Sequence, residues 1–342
     1  MLLKGGERLP DKKITDKDYL CLSTMLKARE SRMLSREGLE RLLELGNFGE
    51  AARALADNGY EDMSGMSADS IDAALARRRT EELNEIAGMV PEKEVVDIFR
   101  AKYDYHNAKV AIKSEGTGTD AGYLYSGSGR ISPEKIRAAL TEDDYRFLPQ
   151  ILGEAMKQAK SELSRTGNPQ LADIVLDKAY FAELQKMAEK PQNGFLKEYV
   201  RLLIDSANLR TAVRMVRMGK GQELLRTMLI PGGSVDAGRL AQNAEPGDGL
   251  AGIFAASMLR KAGELGGEAM KGGRMTDFEL ACDNAVTAFL RKAKTVGFGA
   301  EVVAGYLGAV ENEITAVRMI LTGLLAGISP ERLKERLRET YA

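Results

Sequence analysis

A ten-residue pattern recurs along the chain at intervals of roughly a hundred residues. The stretches DYHNAKVAIK at 104–113 and DSANLRTAVR at 205–214 both place an acid first, an asparagine three positions on and a basic residue two positions later. The stretch EITAVRMILT at 313–322 keeps the acid and the basic residue but has alanine between them. A turn and a helix start follow the copies, at 131, 231 and 328. We interpret the chain as three copies of one structural unit.

The spacing of apolar residues predicts that these units are helical. Strand signals are scarce, since aromatic residues make up only 6% of the chain and tryptophan is absent. Apolar residues recur instead at steps of three and four around each copy, which is the spacing of one helix face. The longest such stripe comprises Val303, Tyr306, Leu307, Val310, Ile314, Val317, Leu321 and Leu324. The sequence therefore predicts an all-α fold.

Capping residues and glycine-rich stretches suggest where the shorter helices begin and end. Ser35, Ser132 and Ser329 each stand where the N-cap of a helix belongs, and proline follows the latter two. Three glycine-rich stretches, at 116–129, 231–238 and 263–273, are predicted to be loops. With the repeats, these signals predict an N-terminal tail at 1–14 and helical modules at 15–130, 131–230 and 231–342.

The repeated pattern itself is interpreted as structural. Its positions are Asp104, Asn107 and Lys109 in the first copy, Asp205, Asn208 and Arg210 in the second, and Glu313, Ala316 and Arg318 in the third. On a helix, the acid and the asparagine share one face at the edge of the apolar stripe. We expect each asparagine to hydrogen-bond a loop or helix end of its own module, and the charges to stay near solvent. A catalytic acid/base pair is the less favoured alternative, because alanine replaces asparagine in the third copy.

Residues suited to catalysis are few. The single histidine, His106, lies on an apolar helix face, where a packed or hydrogen-bonded core role is favoured over a ligand or base. Cys21 and Cys282 fit no metal or redox spacing and are predicted to be isolated buried thiols. The glycine-rich loops match neither phosphate-binding pattern. We predict no catalytic, cofactor-binding or metal-binding residue, although a metal site built from carboxylates alone stays open.

Charge and hydropathy narrow the class of partner. Lys plus Arg number 49 and Asp plus Glu 50, so the net charge is −1 and no general attraction to nucleic acid or anionic lipid is predicted. The longest run without a charge covers 319–330, far shorter than the ~20 residues that span a bilayer. The chain also begins without the apolar stretch of a secretory signal. We expect a cytoplasmic protein that is not inserted in a membrane.

The three copies, in order and with the ending LTGLLAGISPERLKERLRETYA, resemble the C subunit of prokaryotic V/A-type rotary ATPases, whose eukaryotic relative is the d subunit of the vacuolar pump. The early segment ARESRMLSREGLERLLELGNFGEAARALADNGY is similar to the opening of that family. The resemblance implies a funnel of three similar modules around a pseudo-threefold axis. It also implies a place on the cytoplasmic mouth of the membrane rotor ring, where the funnel receives the central shaft and transmits torque without a nucleotide site.

Two other functions are compatible with the residues alone. One is a free-standing helical-repeat adaptor that binds other proteins, as solenoids do. The other is an enzyme with a carboxylate-bound metal. The resemblance favours the rotor subunit, whose partners would be the central-shaft subunits and the membrane rotor ring.

Overall fold

The computed structural model describes residues 14–119, 121–191 and 193–342, so the predicted tail lies outside the described residues except for Ile14. The described residues form sixteen α-helices and three short 3₁₀ turns, with no strand among them. The helices are α1 (Leu20–Glu30), α2 (Arg36–Glu44), α3 (Phe48–Ala56), α4 (Ala68–Met89), α5 (Lys93–Thr117), α6 (Pro133–Thr141), α7 (Gln150–Thr166), α8 (Pro169–Glu189), α9 (Gly194–Arg217), α10 (Gln222–Met228), α11 (Ala237–Gln242), α12 (Gly249–Phe254), α13 (Arg260–Met270), α14 (Met275–Leu290), α15 (Ala300–Leu325) and α16 (Pro330–Lys334). The predicted all-α class is confirmed.

Three long helices, α5, α9 and α15, carry the three copies of the repeated pattern. Each packs against the α-helix that precedes it, α4, α8 and α14 respectively, and a 3₁₀ turn at Arg291–Thr295 lies between α14 and α15. The apolar stripe of α15 is buried along its length, with Val303, Ile314, Val317 and Leu321 at most 1% exposed. Burial of such a stripe supplies most of the stability of a helix in a folded protein.

The predicted starts of the short helices agree with the structure. The Ser35 and Ser132 hydroxyls accept hydrogen bonds from the backbone amides of Gly38 and Lys135, which caps α2 and α6. Ser329 stands at the N-cap of α16 with extended backbone, but its side chain makes no capping bond. The three sequence signals therefore place three helix starts, of which two are reinforced by the serine side chain.

One predicted loop is a helix. The glycines of 263–273 predict a loop, yet most of this stretch lies in α13. A side chain at Gly263 would place its Cβ 3.0 Å from the Leu250 carbonyl oxygen and 3.1 Å from the Phe254 Cβ, on α12. Glycine therefore allows α13 to pack closely on α12, and that packing offsets the poor helix propensity of the residue. The other two glycine-rich stretches are mostly loop, as predicted.

Nearly all buried apolar residues of the described chain fall into two cores. The main core draws on α1–α4, the first half of α5, the second half of α8 and the helices from α9 onward. The second core contains residues between Tyr105 and Leu176, from the second half of α5, from α6 and α7 and from the first half of α8. We call the part of the molecule around this second core, residues 105–176, the side lobe. No helix of the described residues is both long enough and apolar enough to cross a membrane.

Candidate functional site

The asparagines of the first two copies fasten loops to the long helices. The Asn107 side chain donates to the Ser126 carbonyl (2.8 Å) and accepts from the Ser126 amide (2.9 Å). Asn208 makes the same pair of bonds with Ile230, both at 2.8 Å. Both asparagines are buried, at 0% and 1% exposure. These are the loop contacts expected of them. Each side-chain amide pairs with both polar groups of one loop residue further along its own module, and in the second copy that residue follows α10.

The acids of these copies are buried, which the sequence pattern did not predict. Asp104 and Asp205, at 0% and 2% exposure, were expected near solvent. Asp104 accepts from the Ile131 amide (3.1 Å) and from the Arg130 Nε (2.5 Å). Burial raises the pKa of Asp104 above its usual value, against the opposing effect of Arg130. The expectation failed because the loop covering Asp104 comes from residues more than twenty positions along the chain.

Asp205 is covered by the corresponding loop of the second copy. It accepts from the Val235 amide (3.1 Å), the Ser234 amide (3.1 Å) and the Ser234 hydroxyl. Glycine allows the backbone to come this close in both copies, because a Cβ at Gly129 or at Gly233 would collide with the carboxylate.

In the third copy, residues from the first module supply the hydrogen-bond donors to the acid. Glu313 accepts from the Leu34 amide (2.7 Å) and from the Tyr60 hydroxyl (2.6 Å). Burial and then the Glu313 carboxylate raise the pKa of Tyr60, so the hydroxyl keeps its proton and remains a donor. The turn at 328, which resembles the turns after the other copies in sequence, starts α16, whereas the backbone amide that donates to Glu313 is that of Leu34. Ala316 is buried and has no polar group to offer a loop.

The three acids accept hydrogen bonds from backbone amides at equivalent positions. Leu34, Ile131 and Val235 each donate a backbone amide to a carboxylate. Each also stands immediately before the N-cap residue of a short helix, respectively α2, α6 and α11. The acid of α5 therefore binds the start of α6, and the acid of α9 binds the start of α11. The acid of α15 binds the start of α2, near the other end of the chain.

The basic residues of the pattern connect helices in the same cyclic order. Lys109 of α5 pairs with Asp177 of α8 (2.6 Å), and Arg210 of α9 pairs with Asp283 of α14 (2.5 Å). Arg318 of α15 makes a two-point contact with Asp72 of α4, with the Nε–Oδ1 and Nη2–Oδ2 distances both 2.6 Å. The first copy thus contacts the second, the second contacts the third, and the third contacts the first.

These contacts do not resemble catalytic machinery. The carboxylates accept hydrogen bonds from backbone amides, from hydroxyl groups or from a cation, and within the described part of the chain no group of three or more His, Cys, Asp or Glu side chains could hold a metal ion. His106 is exposed rather than in the core, with Nε2 2.8 Å from the Leu124 carbonyl oxygen. Cys282 is buried as expected, but Cys21 is exposed. The contacts of the repeated pattern described above join parts of this chain to one another.

A recess of about 590 Å³ opens where the three long helices come together. Its walls include apolar residues of α5 and α9 and charged residues of all three long helices. Lys102 of α5 pairs across it with Glu311 of α15 (2.8 Å). Burial favours a raised pKa for Glu311, but Lys102 and Arg79 outweigh it and hold that pKa below its usual value. Arg214 of α9 stands at the recess with a 56% exposed side chain.

Comparison with known proteins identifies the family. The sequence profile of the ATP synthase (C/AC39) subunit family matches residues 22–336, which is nearly the whole chain. The chain belongs to this family. The resemblance carried by the repeated copies is thereby confirmed, and so is the prediction that the chain is not an enzyme in its own right, because this family is a non-catalytic part of a rotary ATPase.

Individual members of the family align over most of their length. The chain is similar to the C subunit of the V-type sodium ATPase of Enterococcus hirae, with 24% identity over 95% of this chain and 99% of that protein. It is similar to the C subunit of the A-type ATP synthase of Methanocaldococcus jannaschii, with 24% identity over 93% of this chain and 86% of that protein. The corresponding protein of the V-type ATP synthase of Thermus thermophilus is 23% identical over 59% of this chain and 64% of that protein.

Proposed function

We propose that the chain is the central-stalk rotor subunit that links the shaft of a prokaryotic V/A-type ATPase to its membrane rotor ring. In this role it transmits torque for ATP-coupled transport of protons or sodium ions. The observation that carries the proposal is the cyclic order of contacts, from α5 to α8, from α9 to α14 and from α15 to α4. A closed cycle of packed helices resists twisting in either direction, which a part that transmits torque requires.

The same contacts support the proposed arrangement of modules. We infer that modules at 15–130, 131–230 and 231–342 form a funnel with pseudo-threefold symmetry, because three equivalent acids and three equivalent basic residues repeat one set of contacts. The funnel would sit at the cytoplasmic, inner face of the membrane as part of the complex. Its partners are the shaft and ring subunits, without nucleic acid and without insertion in the bilayer.

The recess is the proposed socket for the end of the shaft. All three long helices line it, so a partner seated there contacts every module at once. Its charged residues are largely paired with each other, as Lys102 is with Glu311. A surface of paired charges suits a partner that is held in a defined position by complementary charges and not by a large apolar interface.

The cyclic contacts argue against the alternative of a free-standing helical-repeat adaptor. In an open solenoid each repeat contacts only its neighbours along the chain, and the last repeat lies far from the first. Here Glu313 and Arg318, in the last long helix, contact Leu34 and Asp72 near the start.

The experiment compares variants in an ATPase complex from which this chain has been removed. Adding the wild-type chain is expected to restore ATP-driven ion uptake. The variant Arg214→Glu reverses an exposed, ion-paired charge at the recess, whereas Arg260→Glu reverses another exposed, ion-paired charge on α13, away from the recess. We expect Arg214→Glu to bind isolated shaft subunits about ten-fold more weakly, equivalent to about 1.4 kcal/mol, and Arg260→Glu to bind like wild type.

Two results would count against these assignments separately. Normal coupling in a complex that lacks the chain would overturn the rotor function. Equal shaft binding by the Arg214 and Arg260 variants, with coupling restored by both, would leave the function standing but remove the recess as the socket.

A further inference from the structure

The side lobe is packed differently from its counterparts. Its helices α6 and α7 pack on α5 and α8 and share the second core with them. The corresponding helices of the other two modules, α2 and α3 in the first and α11 to α13 in the third, bury their apolar residues in the main core. The side lobe therefore has an apolar core of its own. It is joined to the rest of the molecule by α5 and α8 and by the loop at 128–129, where the Ser128 hydroxyl lies 2.9 Å from the Thr80 hydroxyl and the Gly129 carbonyl accepts a hydrogen bond from Arg100.

A cluster of buried polar groups, which we call the polar layer, lies between the two cores on one side of α5 and α8, while on α8 the Tyr180 ring packs against both cores. Arg130 binds Asp104 (2.5 Å) and Glu183 (2.8 Å), and Glu183 accepts from the Tyr105 hydroxyl (2.8 Å). Asp104 and Glu183 are 0% and 6% exposed. The Arg130 Nη2 is buried without a hydrogen-bond partner, so the layer is not fully satisfied. A polar layer that is only partly satisfied holds two bodies together less firmly than continuous apolar packing does.

A cleft of about 210 Å³ lies beside this layer. On one side it is lined by residues 149–151, at the start of α7 in the side lobe. On the other side it is lined by Glu94 and Asp97 of α5 and by Lys186 and Lys190 of α8, in the main body. The start of α7 therefore faces charged residues of the main body across open space, and not across packed side chains.

We propose that the side lobe moves as a rigid body against the rest of the molecule, with the polar layer as its pivot and the cleft as the space into which it closes. Gentle bending of α5 and α8 accommodates the movement, since long helices curve without breaking their hydrogen bonds. Domain movements of this kind occur on the microsecond to millisecond timescale. The proposal does not depend on the rotor function. In a rotor subunit, it would make one module movable, while the other two modules are held together by the main core.

The test measures distances between pairs of spin labels by pulsed electron paramagnetic resonance on the full-length chain. Labels attached through ketone-bearing residues replace Gln158, on α7 in the side lobe, and Lys261, on α13 in the main body. The control pair replaces Arg77, on α4, and Lys261, both in the main body. Cys21 is changed to serine so that thiols introduced later are not confused with it. We expect the 158–261 distance distribution to be about twice as wide as the 77–261 distribution.

A second arm closes the cleft chemically. Gln150→Cys and Lys186→Cys, on opposite walls of the cleft, are joined by a bis-maleimide linker. The joined protein is expected to show a 158–261 distribution as narrow as the control pair. The proposal is overturned if the unlinked protein already gives equal widths for the two pairs, or if joining the cleft walls leaves the 158–261 width unchanged.

Discussion

At the scale of single residues, the chain uses side-chain amides and carboxylates as substitutes for backbone partners. Asn107 and Asn208 each pair with both polar groups of one loop residue, and Asp104 and Asp205 accept from the loop amides that follow. A buried polar group without a partner costs roughly 1–3 kcal/mol, so these side chains make the burial of their loops possible. They explain why an acid and an asparagine recur three residues apart.

Replacement of either asparagine by leucine tests this account. Asn107→Leu removes the partners of the amide and carbonyl of Ser126, which is half-buried, and Asn208→Leu removes those of Ile230, which is buried. We expect the free energy of unfolding to fall by about 1–3 kcal/mol, with the larger loss for Asn208→Leu. Denaturant unfolding measures the change. Asn58→Leu is the control, because Asn58 is exposed and makes a single bond to the Ala54 carbonyl. If Asn107→Leu and Asn58→Leu unfold at the same denaturant concentration, the loops do not rely on the asparagines.

The sequence allowed part of this residue-scale description to be predicted. The role of the asparagines followed from their position at the edge of the stripe and from the habit of asparagine of binding backbone groups. The burial of the acids could not be predicted in the same way, because periodicity describes one helix and the cover over Asp104 is a distant loop. The partner of Glu313 could not be predicted for the same reason, because Leu34 lies near the other end of the chain.

At the scale of secondary-structure elements, helices were predicted well where one face carries a continuous apolar stripe, as in α15. The helix α13 was missed because its glycines disfavour a helix locally and are accommodated only through close contact with α12. Such a contact depends on the position of a second helix, which local sequence does not specify. Helix starts marked by serine followed by proline were reliable, at Ser132 and Ser329.

The two serine caps provide a matched pair of variants. The Ser132 hydroxyl accepts from the Lys135 amide, whereas the Ser329 side chain makes no capping bond. Ser132→Ala is therefore expected to lower the free energy of unfolding by about 0.5–2 kcal/mol, and Ser329→Ala to change it by less. Thermal unfolding of the two variants beside the wild type measures the difference. Equal losses of stability would show that the capping bond of Ser132 contributes nothing.

At the scale of the whole molecule, the contact between α15 and α4 decides how the three copies are arranged. Arg318 and Asp72 are distant in sequence, yet they form an ion pair at the position in the repeat where Lys109 and Arg210 form theirs. The second half of the chain therefore folds back onto the first. The sequence predicted three units. It did not predict the contact between the third unit and the first, because that contact joins residues far apart in sequence and no local pattern specifies it.

Exchange of the two charges tests that contact in solution. Asp72→Arg and Arg318→Asp should each destabilise the protein, because each places like charges opposite one another, and the double variant should recover most of the loss. Both side chains are more than a third exposed, so we expect a coupling energy of only about 0.5–1 kcal/mol. A double-mutant cycle on denaturant unfolding measures it. Strictly additive losses would mean that the two residues do not face each other in solution.

The position of α15 against α1, α2, α3 and α4 also affects how the chain is made. The ribosome completes the first four helices long before it adds residues 300–325, and until then their apolar faces lack the helix that covers them. Closing so long a loop costs little more entropy than closing a shorter one, but it delays the final packing until synthesis is almost finished. A chain that ends before residue 300 therefore leaves the apolar faces of the first four helices exposed to solvent. We expect chaperones to bind such a fragment and proteases to degrade it, so it does not act as a smaller working protein.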